Sequence, residues 1–528
     1  MLQAHTNKVM EWKVSPDRVT ITAPDGSVCK AQPFLKGDGS WWVRYASPQV
    51  GIHKFQAGNA SGELEVTPYT GDNPLYKHGA VQVASKKHLR HTDGTPFFWL
   101  ADTWWMGFTT RLPYPEGIAR LAEDRVKKGF TVVQIVAGLY PDMYPFDPRG
   151  RNEAGYPWEE GFTAINPAYF DAADKKIAYM VEQGLMPCIF GSWGYYMGIV
   201  GIDVIRKHWD QLMARWGAYP VMWCMAGEVY MPFYDVYQAY AAGEITREAF
   251  LDAHEDCLGT NRDQWIEIMN HVRENDPFHR MITVHAPQTP AQPFDPNLPV
   301  DVHMLETNHG GFNGLVPNMK SIKTAMDLGA LPAINGEVCY EGICGSSYAD
   351  VQRYIFFTDI LMGCCGHTYG ANGIWQANTR EEPYGVSPHG SSWGESLLED
   401  AYQLPGSAQI GNAKRFLCRF DWWRFEPHPE WIDNPCTYEA LEGNFCVGIP
   451  NEARFIYLPF MGGNSSGGVK LHGLDGSYSA YYYNIISDRV YDLGLATPDA
   501  LGDWKLPQTT IYQDWVLALT KQPLQDIE

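Results

Sequence analysis

The segment PFFWLADTWWMGFTTRLPYPEGIARLAEDRVKKGFTVVQIV, residues 96–136, decides the fold. It begins and ends with short apolar runs, Phe97–Ala101 and Thr131–Val136, which have the length of buried strands. The chain between them carries an apolar helix face that stops at Gly129. The residues predicted on that face are Ile118, Leu121, Ala122 and Val126. A strand, a helix and a second strand in this order indicate βα units and a parallel sheet.

The same alternation continues along the chain to about residue 370. A further helix is predicted to begin at Asn166 and Pro167, an N-cap followed by the first helical residue, and to end at Gly184. Eight such units over about 280 residues predict a (β/α)8 TIM barrel, an α/β fold of roughly 250 residues. The predicted strands are Phe97–Ala101, Thr131–Val136, Met186–Phe190, Val221–Met225, Met281–His285, Val302–Leu305, Ala333–Gly336 and Gly366–Tyr369.

A doubly wound open sheet is the competing architecture. It is disfavoured because the first strand continues into Asp102-Thr103-Trp104-Trp105, where that fold places a glycine-rich phosphate loop.

Short alternating segments separated by Gly, Asp and Asn turns flank the barrel on both sides. They predict three domains, which are an N-terminal β-sandwich over residues 1–80, a catalytic barrel over 81–420 and a C-terminal β-sandwich over 421–528.

The charge of the chain restricts its partners. Its 528 residues include 40 Lys and Arg against 61 Asp and Glu, a net charge of −21. Such a protein repels nucleic acid and anionic membrane surfaces, and no apolar run reaches the roughly 18 residues of a membrane span. We therefore predict neither partner. A homo-oligomer stays open. The aromatic content of 14% suits both packed cores and a cleft in which Trp and Tyr stack on sugar rings.

Eleven cysteines are scattered along the chain, several within apolar runs such as Met186–Phe190. This pattern predicts buried free thiols and a reducing compartment. The N-terminus MLQAHTNKVMEWKV lacks a basic start followed by an apolar stretch. The sequence thus predicts the cytoplasm of a bacterial cell, or the periplasm or exterior if a leader has been removed.

Two predicted strands end in a carboxylate. The fourth reads PVMWCMAGE and ends at Glu228, and the seventh reads LPAINGE and ends at Glu337. Active sites of these barrels lie at the C-terminal ends of the strands, and glycoside hydrolysis needs a pair of carboxyl groups. One such glutamate is more often a salt-bridged loop residue, but the pair favours catalysis. By analogy with the large retaining clan of such barrels, Glu228 is the acid/base and Glu337 the nucleophile.

Polar and aromatic residues at the other strand ends are candidate sugar contacts. For each of them a hydrogen-bonded supporting role is the alternative interpretation. The candidates are Asp102, Trp104, Trp105, Gln134, Trp193, His285, Glu306, Asn308, His309, His367, Tyr369, Asn372 and Trp375.

The sequence predicts no metal and no cofactor. It contains no HExxH motif and no recurrent CxxC pair, and a Gly-x-Ser-x-Gly nucleophile elbow is absent. Asp102, His285, His309 and His367 could still converge as a metallohydrolase site, which stays an alternative.

At four motifs the chain resembles the apiosidase-like glycoside hydrolases of family 140 and their relatives. The motifs are HTDGTPFFWLADTWW (91–105), PVMWCMAGE (220–228), PAINGEVCYEG (332–342) and GHTYGANGIW (366–375). The terminal regions resemble the small sandwiches that often flank this barrel. The resemblance implies a cofactor-free glycosidase whose carboxylates are Glu228 and Glu337. Relatives can carry Asp at the strand-four position, so Glu228 departs from that pattern.

Together these observations predict a retaining exo-glycosidase. Its partner is a carbohydrate, a plant or microbial glycan or glycoside, from which it removes a terminal sugar that is apiose-like or another pentose or hexose. The alternatives are a non-catalytic carbohydrate-binding barrel and a metal-dependent hydrolase.

Overall fold

The computed structural model describes residues 1–287, 294–459 and 468–524. Its N-terminal part is built from two sheets, with strand orders β1-β8-β7-β3-β4 and β2-β6-β5. The strands are β1 Leu2–His5, β2 Met10–Lys13, β3 Val19–Thr22, β4 Val28–Ala31, β5 Phe34–Leu35, β6 Trp41–Tyr45, β7 Gly51–Ala57 and β8 Ala60–Thr67. Residues from both sheets, including Trp12, Ile21, Val43 and Leu64, share one apolar core. The predicted N-terminal sandwich is therefore confirmed.

A short connection leads from the sandwich to the barrel. It contains α1 Pro74–Lys77, β9 Val81–Ser85, β10 His88–His91 and β11 Pro96–Phe97. The three strands form an antiparallel sheet that passes directly into the barrel's first strand.

A ring of parallel strands forms the centre of the molecule, with the order β16-β15-β14-β13-β12-β20-β19-β18-β17. The strands are β12 Trp99–Thr103, β13 Val132–Val136, β14 Met186–Phe190, β15 Met222–Cys224, β16 Ile282–Thr283, β17 His285–Pro287, β18 His303–Glu306, β19 Ala333–Glu337 and β20 Gly366–Tyr369. β16 pairs with β15 and β17 pairs with β18, so the two pieces joined at Val284 are one barrel strand. Each predicted strand is present, and the predicted (β/α)8 barrel is confirmed.

Helices surround this ring. They are α2 Glu116–Lys127, α3 Pro167–Glu182, α4 Tyr196–Val200, α5 Ile202–Trp216, α6 Tyr234–Ala241, α7 Arg247–Asn275, α8 Leu315–Leu328, α9 Ala349–Leu361, α10 Leu398–Ala401 and α11 Pro405–Leu417. Short 3₁₀ segments cover Pro148–Gly150, Glu160–Phe162, Gly311–Gly314, Ile343–Gly345, Trp422–Arg424 and Pro429–Trp431. As predicted, the Asn166 side chain caps α3, accepting a hydrogen bond from the Ala168 N–H.

The prediction for α2 was wrong at one position. Ile118, Leu121 and Ala122 are buried, but Val126 is 39% exposed. Arg125 takes the inward position instead, because its guanidinium pairs with the buried Asp102 carboxylate at 2.7 Å.

The C-terminal part is a six-stranded antiparallel sheet, β21-β22-β23-β28-β25-β26, with a two-stranded ribbon, β24-β27. The strands are β21 Glu426–Pro427, β22 Phe445–Ile449, β23 Ala453–Leu458, β24 Lys470–Leu471, β25 Tyr478–Asn484, β26 Arg489–Ala496, β27 Trp504–Lys505 and β28 Trp515–Thr520. One face packs on the barrel, where Tyr457 stacks on Phe357 of α9 and Tyr483 on Phe416 of α11. The other face covers a separate apolar core with the ribbon.

The eleven cysteines are all free thiols, as predicted, but only six of them are buried, and Cys344 is exposed. Within the described residues, no helix combines the length and the apolar character that crossing a bilayer would require.

Candidate active site

A cavity of about 320 Å³ lies where the barrel strands end. Glu306 and Glu337 are the last residues of β18 and β19, and Glu228 follows β15, so three carboxyl groups reach one cavity. Its lining consists of Trp105, Pro141, Asp142, Trp193, Glu228, Met231, Tyr234, Tyr237, Glu306, His309, Glu337, Tyr340, Ile343, Trp375, His389 and Trp393. The combination of flat aromatic walls and a few polar groups is typical of a small-molecule site.

Glu228 is fixed by the indole that follows the third barrel strand. The Trp193 Nε1–H donates to Glu228 Oε2 over 2.7 Å. Gly227 makes this approach possible, because a Cβ there would lie 2.2 Å from the Trp193 ring. Glu228 itself has a φ of +39°, a strained conformation of the kind that clusters at functional sites.

Burial raises the pKa of Glu228 to about 8, and the negative charge of Glu337 adds to this effect. This carboxyl group therefore keeps its proton at neutral pH.

Glu337, unlike Glu228, is surrounded by groups that favour its ionised form. His309 Nε2 lies 3.0 Å from Glu337 Oε1, and the Tyr340 hydroxyl hydrogen-bonds to the same carboxylate. His285 Nε2 lies 3.4 Å from Glu337 Oε2. Burial opposes ionisation, but these groups outweigh it and hold the pKa of Glu337 below its ordinary value. Glu337 is therefore ionised at neutral pH.

His285 connects the two carboxyl groups. The backbone N–H of Glu228 donates to His285 Nδ1 over 3.3 Å, so the ring proton is assigned to Nε2, which faces Glu337. Burial lowers the pKa of His285 to about 4, so the ring is neutral. The neutral ring therefore accepts a hydrogen bond from the Glu228 backbone, and its Nε2 lies near the Glu337 carboxylate without forming a hydrogen bond to it.

The outer wall of the cavity comes from loops. In the loop after the second barrel strand, Asp142 accepts a hydrogen bond from the Tyr234 hydroxyl of α6 over 2.9 Å. His389, from the long segment after β20, lies 4.0 Å from Asp142 through its Nε2. The loops after three different strands therefore meet over the carboxylates.

The chain was also compared with known families and structures. The family described as "Apiosidase-like, catalytic domain" matches residues 83–424, more than half of the chain. The chain belongs to this family. It is therefore a glycoside hydrolase. No curated protein matches it.

Solved structures agree with the apiosidase-like chain in fold. One, named "Glycoside hydrolase", is 19% identical at a TM-score of 0.64 and covers 85% of this chain and 98% of its own. A glycoside hydrolase family 5 protein from Bacteroides vulgatus is 18% identical at a TM-score of 0.66, covering 85% and 95%. A second Bacteroides vulgatus structure, 15% identical at a TM-score of 0.66, covers 98% of this chain and 100% of its own. The last match includes both terminal sandwiches.

Part of the predicted site lies in the cavity of this apiosidase-like protein, where seven of the predicted residues form the lining. His285 lies outside the lining, where it accepts a hydrogen bond from the Glu228 N–H and lies 3.4 Å from the Glu337 carboxylate. The seven are Trp105, Trp193, Glu228, Glu306, His309, Glu337 and Trp375.

The other predicted residues are placed outside the cavity lining, where protein groups hold them. Buried Asp102 pairs with Arg125 and accepts a hydrogen bond from Trp104 Nε1 over 2.6 Å. The Tyr369 hydroxyl donates to Glu341 over 2.6 Å. These three interactions tie barrel strands to helices and loops, so none of these side chains is free to meet a sugar.

The remaining four predicted contacts lie outside the lining as well. His367 Nδ1 lies 2.7 Å from the Asp359 carboxylate of α9. Gln134 Nε2 donates to Thr368 Oγ1 over 3.3 Å inside the barrel. Two loop amides complete the set, with Asn308 Nδ2 donating to the Gly314 carbonyl and Asn372 Nδ2 to Ser396 Oγ.

The four residues named for a metallohydrolase site do not converge, because Asp102 is held by Arg125 and His367 by Asp359. Among the described residues, the three that could hold a metal ion together are Glu306, His309 and Glu337, whose ligand atoms lie within 4.8 Å of one another.

Sequence reasoning missed several residues of the cavity. Tyr340 stands three positions after Glu337 in PAINGEVCYEG, and its polar hydroxyl next to a catalytic candidate was the available signal. The others lie in loops, in α6 or in a 3₁₀ segment beyond the strand ends, where strand-end reasoning gives no signal. They are Pro141, Asp142, Met231, Tyr234, Tyr237, Ile343, His389 and Trp393.

Proposed function

We propose that this apiosidase-like protein is a retaining exo-glycosidase in which Glu337 is the nucleophile and Glu228 the acid/base. It removes a terminal sugar, apiose-like or another pentose or hexose, from a plant or microbial glycan or glycoside. The observation that carries the proposal is the opposite protonation of two carboxyl groups in one cavity. Paired groups whose environments separate their pKa values in this way are typical of an acid and a base or nucleophile.

The proposed reaction has two displacements. In the first, Glu337 attacks the anomeric carbon while Glu228 gives its proton to the departing glycosidic oxygen, which leaves a glycosyl ester on Glu337. In the second, the Glu228 carboxylate takes a proton from water as the water oxygen attacks the anomeric carbon. Glu337 leaves as a carboxylate, and its hydrogen bonds from His309 and Tyr340 stabilise the charge that returns.

The shape of the cavity supports exo action. Its volume of about 320 Å³ is near the lower end of the ~300–1,000 Å³ that ligand pockets span. Tyr234 and Tyr237 of α6 and Trp393 of the segment after β20 contribute aromatic rings to its lining. A pocket of this size suits one terminal sugar better than an internal stretch of glycan.

A screen of aryl glycosides tests the proposal, with apiosides, arabinosides, xylosides and glucosides in both anomers. The wild type is compared with Glu337→Ala and with Glu341→Gln. Glu341 is a matched control because it lies in the same motif but bonds to Tyr369 outside the lining. We expect one substrate to be hydrolysed by the wild type and the control and not by Glu337→Ala. Sugar binding without turnover of any glycoside would favour the non-catalytic binding protein.

The metal grouping supplies a second candidate function, a metal-dependent hydrolase. The same screen with and without a chelator separates the two. The proposal predicts equal rates, whereas loss of activity in chelator that Zn²⁺ restores would favour the metal-dependent reaction.

A further inference from the structure

Glu306 is a third carboxyl group in the cavity, and the proposed reaction does not use it. It ends β18 at a point where the pairing register with β19 shifts between Leu305 and Glu306. Such irregularities re-aim side chains next to functional sites. The Glu306 side chain is only 13% exposed, and what remains exposed faces the cavity.

One oxygen of this carboxyl group lacks a partner among the described residues. Its Oε2 is buried and makes no hydrogen bond with them. The nearest ring nitrogen, His285 Nδ1, lies 3.8 Å away and already accepts the Glu228 N–H, so it has no proton to offer. A buried acceptor without a donor is costly. Glu306 Oε2 is therefore available to accept a hydrogen bond from a ligand in the cavity.

The charges around the cavity limit what that ligand can be. Asp142, Glu228, Glu306 and Glu337 all face it, and none of the described residues of its lining is a lysine or an arginine. A carboxylate on the ligand would meet the ionised Glu337 without a lysine or arginine to pair with, and a like-charge contact of this kind costs several kcal/mol. Sugar hydroxyl groups donate hydrogen bonds and carry no charge.

We propose that Glu306 accepts hydrogen bonds from hydroxyl groups of the terminal sugar, and that the pocket selects an uncharged sugar over a uronic acid. This deepens the proposed function and depends on it for the premise that the ligand is a sugar. Burial and repulsion from Glu228 and Glu337 raise the pKa of Glu306, which favours its neutral form in the empty cavity, whereas hydrogen bonds donated by a ligand shift the group toward the carboxylate.

The selectivity is tested on the wild-type protein by calorimetry with sugars that differ only at C6. The pairs are glucose with glucuronate and galactose with galacturonate, and xylose and arabinose complete the neutral set. Every titration contains EDTA, because Glu306, His309 and Glu337 could otherwise bind a metal. We expect a neutral sugar to bind and every uronate to bind at least about tenfold more weakly. A uronate that binds as tightly as its neutral partner, or no neutral sugar binding, would overturn the inference.

The role of Glu306 is tested by Glu306→Gln beside Asp142→Asn. Asp142 is the matched control, a carboxyl group of the same cavity that already has Tyr234 as a donor. Since a hydrogen bond to a charged group is lost, Glu306→Gln should raise the Kd of the neutral sugar, or the KM of its aryl glycoside, by about 10–100-fold. In Glu306→Gln, kcat should change less than KM. Asp142→Asn should change Kd less than Glu306→Gln does. A folded Glu306→Gln with wild-type Kd would overturn the role.

These experiments can distinguish a failure of the proposed glycosidase reaction from a failure of the proposed role of Glu306. If no glycoside is hydrolysed but the neutral sugar still binds through Glu306, the glycosidase reaction fails and this inference survives. If Glu337-dependent hydrolysis is found and Glu306→Gln has wild-type KM, the reaction survives and this inference fails. The comparison of neutral sugars with uronates needs no variant, so it holds even where Glu306→Gln does not fold.

Discussion

At the scale of single residues, Glu228 and Glu337 share one chemistry but have different neighbours. Glu228 faces an indole and apolar walls, and its pKa rises to about 8. Glu337 faces an imidazole and a phenol as donors, and its pKa falls below the ordinary value. The sequence predicted both carboxylates from the strand ends on which they lie. It could not show which neighbours set the two pKa values, because His285, His309 and Tyr340 come from other segments.

The pKa values predict a bell-shaped dependence of kcat/KM on pH. Activity needs Glu337 ionised and Glu228 protonated, so it should rise at a pH below the ordinary glutamate range and fall near pH 8. The Glu228→Ala variant, assayed with an aryl glycoside that has a good leaving group, should lose the basic limb. A basic limb that persists in this variant would contradict the assignment of Glu228.

The hydrogen bond from Trp193 can be tested in the same assay. Its Nε1–H favours the ionised form of Glu228, so Trp193→Phe should raise the pKa of Glu228. The basic limb of kcat/KM should then move to higher pH. Trp105→Phe is the control, because the Trp105 indole donates to Tyr340 instead. A basic limb that moves to lower pH in Trp193→Phe would contradict this account.

At the scale of elements, the strands of the barrel were predicted well and the direction of their side chains was not. The barrel strands are buried on both faces, so apolar residues do not alternate with polar ones along them. The sequence therefore could not tell that Asp102 and His367 face helices while Glu337 faces the cavity. The loops that carry Asp142 and His389 have no periodicity at all, and their place in the site follows only from the folded barrel.

The Asp102–Arg125 pair between β12 and α2 is predicted to stabilise the barrel and not to contact the sugar. Both side chains are fully buried, so Asp102→Asn leaves a buried arginine without its carboxylate and should cost about 3–5 kcal/mol of unfolding free energy. KM should stay unchanged. Denaturant unfolding and kinetics of the same preparation measure both. Asp124→Asn, a more exposed neighbour of Arg125, should cost less. If Asp102→Asn instead raised KM and left the unfolding free energy unchanged, Asp102 would be a sugar contact and not a stabilising residue.

At the scale of the whole molecule, the terminal sheets are attached to the barrel by buried arginines. Arg44 of β6 makes a two-pronged contact with Asp174 of α3 at 2.9 and 2.7 Å. Arg353 of α9 makes the same kind of contact with Asp514, at 2.7 Å for both hydrogen bonds. The sequence predicted both sandwiches from their short strands. It did not predict these attachments, because the paired residues are 130 and 161 positions apart.

The Arg353–Asp514 pair is predicted to hold the C-terminal sheet on the barrel. Asp514→Asn should lower the unfolding free energy by about 3–5 kcal/mol and separate the transitions of the sheet and the barrel. Calorimetric unfolding and limited proteolysis follow this separation. Glu452→Gln breaks the exposed pair with Arg424 and should cost under about 1 kcal/mol. Equal effects of the two substitutions would contradict the proposed attachment.

The central claim, that Glu337 is the nucleophile of a retaining glycosidase, is tested most directly by trapping its covalent intermediate. The wild type is incubated with the 2-deoxy-2-fluoro aryl glycoside of the sugar found in the screen, and the labelled peptide is identified by mass spectrometry. We expect one sugar ester, on Glu337, together with product of retained anomeric configuration by NMR. A label on another residue, or an active enzyme that gives inverted product and no adduct, would contradict it.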